Sequence, residues 1–128
     1  MRLLIRIIIT SAVISLFSSC GTPTQSLYNW GNYDDALYNY LKKRDDQSLN
    51  RLISTYERLI DQPGGSRKTP PPGVCADYGY LLIQKGNIEK GITLLKKEIE
   101  LYPESRPFIE KIIQRFDNIN KSDENKTK

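Results

Sequence analysis

The sequence predicts an all-α fold of antiparallel helical hairpins, with about five helices in all. Three features of the residue pattern predict it. From Asp34 onward, apolar residues recur at spacings of three and four, which sets them on one face of a helix. No segment alternates apolar and polar residues over several positions, so no sheet is expected. Pro63 to Gly73, Gly86-Asn87 and Pro103 interrupt the apolar stripes, where helices must end.

The first helix starts near Asp34, with Asn32 or Tyr33 before it, because Asp34 and Asp35 suit the positive end of a helix dipole. Ala36, Leu37, Tyr40 and Leu41 share its inner face, and Lys42-Lys43-Arg44 suits its C-terminal end. Asp45-Asp46-Gln47 breaks the pattern. A second helix covers about Ser48 to Ile60, on a stripe of Leu49, Leu52, Ile53, Tyr56, Leu59 and Ile60. Residues 62–73 hold four prolines and three glycines and read as an exposed loop. Within it Pro70-Pro71-Pro72 is a stiff connector.

The third helix covers about Val74 to Lys85, and Gly86-Asn87 makes a tight turn. The fourth covers about Ile88 to Tyr102, on Ile92, Leu95, Ile99 and Tyr102, and Pro103 ends it. Ser105 can cap a fifth, whose stripe is Phe108, Ile109, Ile112, Ile113 and Phe116. The helical domain is thus bounded at 30–117. Residues 118–128 carry one apolar residue, Ile119, and read as a disordered polar tail.

Residues 1–19 have the three parts of a secretory signal: Arg2 and Arg6, an apolar run from Ile7 to Phe17, and Ser18-Ser19. The run is 11 residues long and contains Thr10, Ser11 and Ser15. A spanning helix needs about 20 apolar residues, so a permanent span is disfavoured. Phe17-Ser18-Ser19-Cys20 resembles the lipobox of bacterial lipoproteins, with Phe17 where Leu is usual. The resemblance implies cleavage before Cys20, acylation of its thiol, and a lipidated tether over residues 20–29. Gly21 follows the cysteine, which in the enterobacterial sorting rule favours the outer membrane. The expected location is therefore the cell envelope, lipid-anchored, at the outer membrane and facing the periplasm. A covalent lipid on Cys20 is expected, with no other cofactor.

Removal of the signal leaves 109 residues, enough for one modest core. Arg2 and Arg6 leave with it, so the mature chain carries 17 basic and 15 acidic residues. That balance gives no ground for a nucleic-acid partner. The chain has no histidine, which removes the commonest general base and metal ligand, and metal-ligand spacing is absent. With Cys20 acylated, Cys75 has no thiol to pair with and reads as a small core residue between Val74 and Ala76. Ser54 and Ser66 lack a base, Asp34 and Asp35 point apart on a helix, and Gly64-Gly65 lacks the spacing of a phosphate loop.

Two stretches repeat. Gly31-Asn32-Tyr33-Asp34-Asp35-Ala36-Leu37 and Gly86-Asn87-Ile88-Glu89-Lys90-Gly91-Ile92 share a Gly-Asn pair, a bulky residue, an acid, a small residue and an apolar one. Gly79, Gly91 and Pro103 lie at equal spacings of 12, with Gly86 at the turn between the first two. This resembles a tetratricopeptide repeat, a helix–turn–helix unit whose small residues let two helices approach closely. Cys75 stands where that motif often has Trp, and Glu98 where it prefers a second small residue.

A wider set of residues resembles one family. It comprises Trp30-Gly31 with Tyr33 and Leu37-Tyr38, Pro71-Pro72-Gly73, Ala76-Asp77-Tyr78-Gly79-Tyr80-Leu81-Leu82, Lys97-Glu98-Ile99 and Tyr102-Pro103-Glu104-Ser105. Together they look like domain of unknown function 4810, a family of small bacterial lipoproteins. The resemblance implies no biochemical activity. It implies a neighbourhood of lipoproteins similar to the curli-secretion channel, and so an envelope complex.

The chain is rich in tyrosine, and Tyr28, Trp30, Tyr33, Tyr38 and Tyr40 crowd together ahead of and within the first helix. Tyr28, Trp30 and Tyr38 are the candidate partner-binding residues, because Tyr and Trp are favoured at interface hot spots. Lys42-Lys43-Arg44 and Arg67-Lys68 are expected to be solvated, with contact to anionic lipid as a minor role. The expected function is a non-catalytic interaction or assembly module, docking another envelope protein or lipoprotein. A structural lipoprotein without a groove, or an envelope enzyme, are the alternatives.

Overall fold

The computed structural model describes residues 25–124, with side chains through Phe116. The expected signal peptide, Cys20 and residues 125–128 lie outside the described residues. The described chain is all-helical. Helix α1 spans Tyr33–Lys43, α2 Asp46–Asp61, α3 Val74–Gln84, α4 Ile88–Leu101 and α5 Arg106–Glu124, with a 3-10 turn at Pro103–Ser105.

The stripes place these helices, and the caps set their ends. Helix α1 stops where Arg44 turns left-handed (φ 52°) and its N–H returns to the Tyr40 carbonyl. The expected break at Asp45-Asp46-Gln47 is shorter than its composition suggests. Asp45 itself caps α2, accepting the Ser48 N–H at 2.7 Å, and the helix begins at Asp46. Residues that disfavour a helix interior are the ones that start a helix well.

Helices α3 and α4 form a tight hairpin. The N–H of Gly86 returns to Ile83 and that of Asn87 to Leu82, each at 2.9 Å, which is a Schellman closure. Gly86 takes the left-handed conformation this closure requires, at φ 87°. Partners on α4 rise in number as those on α3 fall: Gly91 faces Ile83 and Gly79, and Glu98 faces Ala76 and Gly73. The two helices are therefore antiparallel.

Gly79 and Gly91 lie at the closest approach. A Cβ on Gly79 would come 2.7 Å from the Gly91 carbonyl oxygen, and one on Gly91 would come 2.6 Å from that of Gly79. Two backbones touch here, with Leu95 fully buried beside them.

The core has two clusters, each built in part on α3. On one side Tyr33, Ala36, Leu52, Tyr56, Leu59, Val74, Tyr78, Leu81 and Leu82 join α1, α2 and α3. On the other, Ile83, Leu95, Ile99 and Ile109 join α3, α4 and α5. The two copies of the internal repeat share a local geometry. Gly31 (φ 54°) and Gly86 (φ 87°) each precede an Asn cap, and Ala36 and Gly91 return N–H groups to those caps. Their settings differ: α1 packs on the helix that follows it, α4 on the helix that precedes it.

Four expectations change. Residues 62–73 are not wholly exposed, because Pro70 and Pro71 are buried and Tyr102 donates its hydroxyl proton to the Pro70 carbonyl at 2.5 Å. The end of the expected tether is docked: Ser66 and Arg67 donate backbone N–H groups to Ser26 and Leu27, each at 3.1 Å. Ser105 lies in the 3-10 turn and donates to the Tyr102 carbonyl at 2.7 Å rather than capping α5. Helix α5 runs on to Glu124, so residues 118–124 continue it where their polarity suggested a tail.

Candidate docking groove

The stripe on α5 is broader than one neighbouring helix can cover. Successive residues turn by 100°, so Phe108, Ile112 and Phe116 lie on one side of Ile109 and Ile113 on the other. Ile109 is buried against α3 and α4. Phe108 is 67% exposed, the most exposed large apolar side chain of the described domain. Its side of α5 faces Ala76, Asp77 and Tyr80 of α3 across an open groove of about 460 Å³. The Tyr80 and Phe116 rings meet there at 6.2 Å. Lys111 and Arg115 of α5 stand along the groove.

The acid in the groove is already engaged. Asp77 Oδ2 accepts the Tyr33 hydroxyl at 2.6 Å. Burial first, and this bond second, raise the Tyr33 phenol well above its ordinary range. Lys111 and Arg115 outnumber this one acid along the groove, so its lining is net basic. A second depression, of about 500 Å³, separates α4 from α5. It holds the paired Arg106 and Glu110, 3.4 Å apart, and offers less apolar surface.

The candidate partner-binding aromatics each have a different neighbour. Tyr28 is half-buried, its ring edge-on to Tyr102 at 6.3 Å and its hydroxyl accepting from Arg67 Nη1 at 2.7 Å. It therefore closes the 62–73 loop onto the domain. Trp30 packs on Tyr33 at 5.5 Å and remains 39% exposed. Tyr38 is exposed on α1, with the Lys42 ammonium 5.7 Å from its ring. The crowding of aromatics in sequence instead feeds a ladder through the core. It runs from Trp30 to Tyr33, Tyr56 and Tyr78, with Tyr56 and Tyr78 stacked at 5.2 Å.

The structural residues of the repeat occupy the hairpin: Gly79 and Gly91 at the contact, Gly86 at the turn, Pro103 opening the 3-10 turn. Glu98 has a function that the repeat pattern does not supply. Gly73 precedes α3 at φ 88° and has no side chain to cap it. The buried Glu98 carboxylate does so from α4, accepting the Gly73 N–H at 2.6 Å and the Ala76 N–H at 3.3 Å. Burial raises its pKa above the ordinary carboxyl value, against the pull of these N–H donors.

Other nucleophiles have structural duties. Cys75 is fully buried, and burial pushes its thiol up to about 11. Ser54 donates its hydroxyl proton to the Asn50 carbonyl at 2.9 Å. Among the described residues no group of three acidic or thiol side chains converges as a metal site. No described helix is long and apolar enough to cross a membrane.

Sequence reasoning found Phe108, Ile112 and Phe116 as a core stripe and left Tyr80 unassigned. The signal was present in the width of that stripe, which exceeds what one helical neighbour covers. Compared with known families, the chain matches the model described as domain of unknown function (DUF4810) over residues 27–112. No curated protein and no solved structure matches the chain.

Proposed function

Since the chain belongs to the DUF4810 family, to which no activity is assigned, we propose that it is a non-catalytic docking module, held to the bacterial cell envelope by lipid on Cys20. Its α3–α5 groove takes an apolar segment with acidic flanks from another envelope protein or lipoprotein. A lipoprotein similar to the curli-secretion channel is the partner class that the family resemblance suggests.

One observation carries this reading: Phe108 and Tyr80 stand exposed across an apolar groove with basic residues beside it. A solvent-facing Phe of this kind adds little to folding and matters where a partner covers it. The groove has room for two or three apolar side chains. Lys111 and Arg115 then favour acidic residues at the edges, through contacts that set orientation and encounter rate.

The test is a photo-crosslinking amino acid at Phe108 in the full chain, within its native envelope. A discrete adduct is expected, its cross-linked peptide apolar with acidic neighbours, and lost when Lys111→Glu and Arg115→Glu are combined. Diffuse adducts, or one unaffected by the charge reversal, would overturn the groove assignment. Palmitate-analogue labelling of the wild type but not of Cys20→Ser tests the anchor separately.

A further inference from the structure

The point where the chain enters the domain is held in a fixed place. Ser66 and Arg67 donate backbone N–H groups to Ser26 and Leu27. Gly65, at φ 83°, makes this approach possible: a Cβ there would come 2.5 Å from the Leu27 carbonyl oxygen and 2.8 Å from the Tyr28 Cα. Tyr28 fastens the same junction through Arg67 and Tyr102. Three side chains at this junction are exposed. Leu27 is 58% exposed, and Arg67 and Lys68 are both exposed. Arg67 gives one nitrogen to Tyr28, and its guanidinium carries further N–H donors.

Six residues lead from Cys20 to Ser26, so even a fully extended link reaches only about 20 Å. The junction at Leu27 is therefore held within that distance of the lipid. The other basic cluster, Lys42-Lys43-Arg44, ends α1, about 15 Å along the helix from Tyr33.

We propose that Leu27, Arg67 and Lys68 form a membrane-facing patch that seats the anchored domain on anionic lipid headgroups. This rests on the reading of Cys20 as the anchor. The two cations meet headgroup phosphates, and Leu27 enters the interface between them. Two cations and one leucine are too few to bring a soluble protein to a bilayer. An anchored domain meets the bilayer at high effective concentration, and there they suffice to fix its orientation.

The lipidated full chain, reconstituted into phosphatidylcholine vesicles with or without phosphatidylglycerol, tests this. An environment-sensitive dye is placed at Ser66→Cys, or at Lys96→Cys on α4 as the control. Cys75 is fully buried and Cys20 is acylated, so neither competes. The dye at residue 66 should shift to the blue on the anionic vesicles alone. The shift should vanish at ~1 M salt, where the Debye length falls to ~3 Å. It should be weakened by Lys68→Glu and lost with Arg67→Glu added, while residue 96 stays unchanged.

A chain that floats with the vesicles but shows no shift, or shifts equally at both positions, overturns the patch alone. A wild-type chain that floats no better than Cys20→Ser overturns the anchor, and the patch with it.

Discussion

Glu98 Oε1 accepts the Gly73 backbone N–H at 2.6 Å across 25 residues of chain, so α4 supplies the cap that α3 lacks. Glu98→Ala should leave the Gly73 and Ala76 N–H groups without their acceptor. The expected loss is about 1–3 kcal/mol, read as a lower urea midpoint with an unchanged slope. An unchanged midpoint would mean that water replaces the carboxylate without cost.

The same residue makes stability depend on pH. Its folded pKa is raised above the ordinary carboxyl value, chiefly by burial. A group with a raised folded pKa contributes its full stability below the unfolded value and loses it as pH rises through the folded one. The stability of the wild type relative to Glu98→Gln should therefore fall between acid and neutral pH. Thermal melts of both proteins across that range check the sign, and a rise would contradict it.

Gly79 and Gly91 admit no side chain without moving a backbone. Gly79→Leu should destabilise by about 1–3 kcal/mol through overpacking, despite the better helix propensity of leucine. Chemical denaturation measures this. A neutral result would mean that the α3–α4 contact yields without strain.

Phe108 and Ile109 are neighbours with opposite environments, at 67% and 1% exposure. Phe108→Ser should stay within about 0.5 kcal/mol of wild type. Ile109→Ala should cost about 2–5 kcal/mol. The contrast, taken from parallel melts, separates the residue that holds the fold from the residue proposed to meet a partner.

The helices were legible because their stripes are local, and the Gly79–Gly91 contact because small residues at a fixed spacing leave few other uses. What was not legible depends on distance along the chain. Pro70 and Pro71 look like loop residues until Tyr102, more than thirty positions on, covers them. Glu98 looked like a departure from the repeat until its partners at Gly73 and Ala76 were in view. Tyr28 looked free because its contacts, Arg67 and Tyr102, are also remote. The groove was hidden for the converse reason. An apolar side chain reads the same whether a neighbour covers it or solvent does.

The docking of residues 26–28 also draws the stretch ahead of α1 into the folded unit. The family match starts at residue 27, ahead of the first helix. A version of the protein cut to begin at Trp30 would keep every helix. It would still strip the clasp from Gly64, Gly65 and Tyr102, uncovering one end of the core. The few residues ahead of α1 thus belong to the domain's architecture, and a truncation series should show its stability step there.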